Sequence, residues 1–329
     1  MIRQRHIRSG CNEAGRDGGR HPERPTRAVG LLLFCLQLLI AVVAFPGAGH
    51  SLPRQLEAEH VVTVNGTERT YRLYVPTTYK PDTPLPLVLV FHGGRGRSDS
   101  MADTTLFHRL AETKGFIVAF PQGIDKLWYN ISNASFAIDK SIDDIAFVRA
   151  LLNQIRSQYA IDPKRIYATG LSLGGILSYE LACRMADTFA AVAVVSGTMT
   201  TTDCHPASPV AVLHIHAKDD ENVPFDGGRG RLTAKGNTFP PVSAGLEFWR
   251  KENGCGTGRD ETFQATESAC WTYAPCTSKK PVDLCLVDGG HQWPGQQERM
   301  PWQVLTGTEV TKTFPASEKI WDFFAAHPK

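Results

Sequence analysis

The 329-residue chain has no Cys-x-x-Cys pair, no internal repeat, no low-complexity segment and no basic tract beyond its first 27 positions. The missing cysteine pair argues against a structural zinc site. Seven arginines against three acids give residues 1–27 a charge of +4, so the remaining residues carry −2 of the chain's overall +2. A mildly acidic body has no electrostatic footprint for nucleic acid. With 42% hydrophobic and 21% charged residues, the composition is globular rather than disordered. A core of that size needs no metal or disulfide scaffold.

What is present begins with one uncharged, strongly apolar run, residues 28–45, which follows the arginines and precedes a small-residue segment around Ala48. A basic region, an apolar stretch and a small-residue exit describe a secretory signal. At this length the run would also just span a bilayer as an uncleaved anchor. Residues 1–50 are therefore expected to be a leader, signal peptide or anchor, and residues 51–329 a single catalytic domain. The expected destination is secreted, extracellular or periplasmic.

Of eight cysteines, Cys11 and Cys35 fall in the leader and six remain. An even number in an exported chain reads as disulfides. Cys183 and Cys204 are a plausible pair, since a helix end and the loop after the next strand can meet. The pairing of Cys255, Cys270, Cys276 and Cys285 stays open. Three Asn-x-Ser/Thr sequons, at Asn65, Asn130 and Asn133, matter only in a glycosylating host.

Asn65-Gly66 between two short alternating segments predicts a hairpin over residues 60–76. From residue 85 onward, continuous apolar runs alternate with helical spacing. Strands are expected at 85–91, 116–120, 165–169, 189–196, 210–216 and 282–287. Helices are expected at 101–114, 143–159, 175–185, 245–251 and 317–326. Runs buried on both faces, separated by helices, predict an α/β class chain with a mostly parallel central sheet and helices on both faces. The antiparallel hairpin would sit at one edge. Residues 226–241, rich in Gly, Arg and Pro, read as a loop near the site.

Gly170-Leu171-Ser172-Leu173-Gly174-Gly175 lies between an expected strand and an expected helix, the context of a nucleophile elbow. The glycines permit a tight strand-to-helix turn that lifts the Ser172 hydroxyl above the sheet at a helix N-terminus, where negative charge is favoured. The Leu173 N–H is then placed to donate to an oxyanion. Serine needs a base, and in this fold order the acid comes before the histidine. His291, in a Gly-rich loop after the final strand, is the expected base. Asp219 and Asp220 stand side by side after the preceding strand, and only one can face the imidazole. His92-Gly93-Gly94 follows an early strand and could present a second donor, Gly94, with Arg95 in reserve. His92 itself is expected to order that loop. Trp128, Tyr129 and Trp293 are candidate pocket aromatics, Asp143 and Asp144 read as a helix start, and His214 and His216 read as buried strand histidines rather than a metal pair.

The motifs FHGG at 91–94, GLSLGG at 170–175, LHIHAKDDENVPF at 213–225 and GGHQWPG at 289–295 together resemble the extracellular polyhydroxybutyrate depolymerase and feruloyl esterase family. The likeness runs from about residue 60 to the end of the chain. It implies an α/β-hydrolase fold, a Ser172, Asp220, His291 triad and hydrolysis of carboxylic esters through an acyl-enzyme, with no metal or cofactor. The choice of Asp220 follows from the family's register, in which the acid precedes Val-Pro by three residues, here Val223-Pro224. The resemblance implies substrates that are feruloyl or acetyl esters of plant polysaccharide or hydroxyalkanoate polyesters. The mildly acidic body is expected to have no nucleic-acid partner, and the mature form no membrane partner unless the leader is retained as an anchor. A serine peptidase of the same fold and a non-catalytic binding module are the alternative readings.

Overall fold

The computed structural model describes residues 59–129, 141–231 and 237–329. The expected leader, and the sequons at Asn130 and Asn133, lie outside the described residues.

Asn65 and Gly66 both adopt positive φ, 50° and 81°, as a type I′ turn demands. They join β1 (His60–Val64) to antiparallel β2 (Thr67–Tyr74). The next strands are β3 (Leu85–Phe91), β4 (Ile117–Pro121), β5 (Ile161–Leu171), β6 (Ala191–Val195) and β7 (Ala211–Ala217). Between them run α1 (Ser98–Thr105), α2 (Phe107–Lys114), α3 (Asp144–Gln158) and α4 (Leu173–Arg184). The rest of the chain contributes the two-residue pair β8 (Gly228–Arg229) and β9 (Thr238–Phe239), then α5 (Val242–Glu252), β10 (Arg259–Ala265), β11 (Ser268–Tyr273), β12 (Val282–Val287), α6 (Pro301–Thr306) and α7 (Ala316–Ala326).

Among the described residues ten strands form one sheet in the order β1-β2-β4-β3-β5-β6-β7-β12-β11-β10. The six from β4 to β12 pair in parallel. Alternation along these strands sends side chains to two cores. In β3, Leu87, Leu89 and Phe91 face the core completed by α3, α4 and α5, while Val88 and Val90 face the one completed by α1, α2 and α7. Burial on both faces is the reason the parallel strands read as unbroken apolar runs.

Two features depart from the sequence reading. Antiparallel strands sit at both edges, since β11 and β10 extend the sheet beyond β12. Nearly all of β10 is exposed, so it carries no alternating apolar signal; its charges Arg259, Asp260 and Glu261 and the bulge before Phe263 blunt the open edge. The helix expected over 101–114 is instead α1 and α2, broken at Leu106 with φ 53°. Thr105 and Phe107 are both buried, whereas one straight helix would put them roughly 200° apart around its axis.

Among the described residues three disulfides are formed, Cys183–Cys204, Cys255–Cys276 and Cys270–Cys285. The first ties the end of α4 to the segment after β6, as expected. The third joins directly opposed residues of β11 and β12, and the second clips the segment after α5 to the one after β11.

Candidate active site

Every chemistry-bearing residue follows the carboxyl end of a parallel strand, the edge at which open α/β sheets bind ligands. Ser172 follows β5, His92 and Gly94 follow β3, Asp220 follows β7 and His291 follows β12.

The turn at Ser172 explains its glycines. A Cβ at Gly174 would lie 2.3 Å from the Phe91 carbonyl oxygen, and one at Gly170 would lie 2.5 Å from the Gly174 carbonyl carbon. Neither position tolerates a side chain without moving backbone. Ser172 itself is held at φ 57° and ψ −117°, and its hydroxyl makes no helix-capping bond. A serine at a helix start normally adopts an extended backbone and caps the first turn. This one is strained, and its oxygen is left free for other use.

Asp220 is buried while Asp219 is exposed. The His291 Nδ1–H donates to Asp220 Oδ2 at 2.7 Å. The other carboxylate oxygen, Oδ1, accepts the N–H groups of Asn222 and Val223, both at 2.9 Å. Burial alone would raise the Asp220 carboxyl; its electrostatic interaction and hydrogen bond with His291, the approach of His216 and the Val223 N–H outweigh it and hold the group below the ordinary carboxylate range. With Nδ1 engaged, Nε2 is the nitrogen of His291 left to exchange a proton with a nucleophile. The imidazole is braced from its backbone, since Gln303 donates to the His291 carbonyl at 2.9 Å and Ser196 to that of Gln292 at 3.1 Å.

Ser172 and His291 line one cavity of about 640 Å³ together with Gly93, Gly94 and Leu173. Among the described residues the N–H groups of Gly94 and Leu173 donate to no protein acceptor, whereas the Arg95 N–H is committed to the Lys126 carbonyl at 2.8 Å. That leaves Gly94, not Arg95, as the loop's available donor. Gly93 runs so close that its Cβ would approach the Ser172 Cβ to 3.3 Å.

His92 orders this loop. Its Nε2 accepts the Gly123 N–H at 2.9 Å, so Nδ1 carries the proton and donates to the Gly93 carbonyl at 2.7 Å. Burial pushes the imidazole down to about 4, against an ordinary 6.5. Below pH 6.5 the unfolded chain therefore binds a proton that the folded chain refuses until about pH 4. The stability this group contributes is complete above pH 6.5 and is lost as pH falls toward 4, by up to about 3 kcal/mol. Thermal melts across that window should show a shallower acid loss for His92→Gln than for the wild type, even though the variant starts lower at pH 7. Parallel slopes would remove His92 from the account.

The pocket aromatics need correction. Trp128 is fully buried against Phe91 and His92, its indole N–H donating to the His92 carbonyl at 2.8 Å. Trp293 is buried beside Phe107 and donates to Ser317 at 3.0 Å. Tyr129 is half-buried, with its N–H on Asp144. None of the three lines the cavity, whose apolar wall includes Leu173, Ile176, Phe239, Met300 and Trp302. Trp302 belongs to α6, a one-and-a-half-turn helix too short to show periodicity. Asp143 caps α3 through the Ala146 N–H and Asp144 is the first residue of that helix, as expected; Asp144 is in addition buried and paired with Arg69 at 2.7 Å.

Comparison with known proteins follows the same lines. The family profile described as Esterase PHB depolymerase matches residues 69–227. Feruloyl esterase C of Emericella nidulans is 30% identical over 242 residues, covering 69% of this chain and 77% of that protein. Feruloyl esterase B of Piromyces equi is 30% identical over 237 residues, but the chain spans only 43% of its length. Among solved structures, an acetyl xylan esterase from Aspergillus awamori superposes with a TM-score of 0.56 at 16% identity, over 82% of this chain and 99% of that one, a likeness of fold. The chain therefore belongs to the Esterase PHB depolymerase family, a family of carboxylic ester hydrolases built on the α/β-hydrolase fold.

Proposed function

We propose that Ser172, His291 and Asp220 act as nucleophile, base and acid in the hydrolysis of carboxylic esters. The observation that carries this reading is the buried 2.7 Å bond from His291 Nδ1 to Asp220, at the wall of the cavity that also exposes a strained, uncapped serine. Ser172 Oγ attacks the ester carbonyl while His291 Nε2 takes its proton. The resulting oxyanion is met by the N–H groups of Leu173 and Gly94. The C–O bond to the alcohol then breaks, and the proton on Nε2 goes to the departing oxygen. Water, deprotonated by the same nitrogen, attacks the acyl-enzyme and releases the acid with Ser172 restored. The chemistry needs no metal or cofactor.

The apolar wall of Leu173, Ile176, Phe239, Met300 and Trp302 suits an aromatic or short aliphatic acyl group. Substrates are feruloyl or acetyl esters of plant polysaccharide, with hydroxyalkanoate polyesters as the other possibility, a choice supported by the feruloyl esterase relatives. Three disulfides support an oxidising, extracellular or periplasmic location.

The test is a panel of methyl ferulate, acetylated xylan, a soluble hydroxybutyrate oligomer and an anilide analogue of the best ester. Ester turnover well above anilide turnover is expected. Cleavage of the anilide with no ester turned over would favour the peptidase reading and end this one.

A further inference from the structure

Beneath Asp220 three polar side chains, all fully buried, stand in one row: Tyr179 from α4, then His214 and His216 from β7. The Tyr179 hydroxyl is 2.9 Å from His214 Nδ1, His214 Nε2 is 3.0 Å from His216 Nδ1, and His216 Nε2 is 2.8 Å from the Val223 carbonyl oxygen. The catalytic cycle proposed above uses none of them.

A carbonyl oxygen can only accept, so His216 Nε2 carries a hydrogen. In a neutral ring its Nδ1 must then accept, which makes His214 Nε2 a donor. By the same step His214 Nδ1 accepts, and the Tyr179 hydroxyl donates to it. With neutral rings a single arrangement satisfies every atom. Burial supports that neutrality, lowering both imidazoles and raising the phenol. The aligned O–H and N–H dipoles all point from α4 toward the triad acid, whose Oδ2 is 3.5 Å from His216 Nε2.

Val223 links the row to the acid. Its carbonyl accepts from His216, and its N–H donates to Asp220 Oδ1 at 2.9 Å. A shift of the Val223 backbone would therefore move the carboxylate, and with it the 2.7 Å bond to His291.

We infer that Tyr179, His214 and His216 are positioning residues, a directed hydrogen-bond row that fixes the Asp220–Val223 turn from below and presents a positive dipole end to the carboxylate. This rests on the roles given above to Asp220 and His291. The row acts on the orientation of His291 and hence on the chemical step. It does not touch substrate.

The decisive variants are His216→Leu, which deletes both donor and acceptor, and His216→Gln, which keeps one of each. For the full chain with its disulfides, His216→Leu should lower kcat on an aryl ester by about 10–100-fold with KM within about twofold. His216→Gln should recover most of kcat. The strongly hydrogen-bonded His291 Nδ1 proton, read at low field by NMR, should move in the leucine variant and return in the glutamine one. Wild-type kcat in a folded His216→Leu protein would overturn the inference, as would a folded His216→Gln protein no better than the leucine one. Should leucine prevent folding, Tyr179→Phe removes only the far hydroxyl. It should lower kcat roughly threefold and shift the same proton, and no change in either reading would overturn the inference. Wild-type turnover measured in the same series keeps the outcomes apart, because an inactive wild type would count against the esterase reading rather than the row.

Discussion

Replacing Ser172 with alanine should lower kcat on an aryl ester by about 10⁴–10⁶-fold while leaving the protein folded and its melting temperature nearly unchanged. The size of the loss follows from the division of labour at the site. Without the hydroxyl no acyl-enzyme can form, and what remains is any orientation of water by His291 and the pull of the Leu173 and Gly94 amides. The small cost in stability follows from the local geometry. The side chain caps nothing, and its backbone stands at φ 57°, a strain that alanine inherits rather than relieves. Burst kinetics on the wild type should show one acyl group taken up per active site before steady state, and the burst should vanish in the variant. Equal turnover by the two proteins would refute the nucleophile assignment and with it the ester mechanism. A binding module would show neither burst nor turnover in either protein.

How much of this site could be read from the sequence depended on the range of the signal. The elbow was legible because its constraint is local: the glycines at 170 and 174 answer backbone contacts at 2.5 Å and 2.3 Å, so residue type reports geometry directly. The Asn65-Gly66 hairpin and the buried parallel strands were legible for the same reason. Asp220 needed the family register, because nothing in Asp219-Asp220 alone tells the two carboxylates apart. The structure supplies the physical difference: only Asp220 is positioned so that the next turn's N–H groups, at Asn222 and Val223, close on its Oδ1. The tryptophans misled because an aromatic in a loop sequence looks the same whether it faces a ligand or anchors the loop from inside. Trp128 and Trp293 are anchors, bonded to the His92 carbonyl and Ser317, while Trp302 lies in a helix too short to announce itself. The edge strand β10 was invisible because, exposed along nearly its whole length, it has no buried face to leave an imprint.

The same asymmetry between neighbours makes the acid the most discriminating position to change. In Asp220→Asn the amide oxygen will stay where two N–H groups already hold Oδ1, which turns the amide NH₂ toward His291 Nδ1, the place now taken by Oδ2 at 2.7 Å. A donor then faces a donor. The imidazole resolves the clash by moving its proton to Nε2, and a protonated Nε2 cannot accept from Ser172. The expected loss in kcat at neutral pH is about 10⁴-fold with KM little changed, because geometry survives and only the tautomer is wrong. Asp219→Asn, at an exposed carboxylate, should keep kcat within about twofold, as surface substitutions do. Single-turnover acylation rates for the two variants measure the contrast without interference from product release. If Asp219→Asn proved crippled and Asp220→Asn active, the acid would have been assigned to the wrong neighbour. If both retained wild-type rates, His291 would be working without a carboxylate behind it, and the tautomer argument would fail.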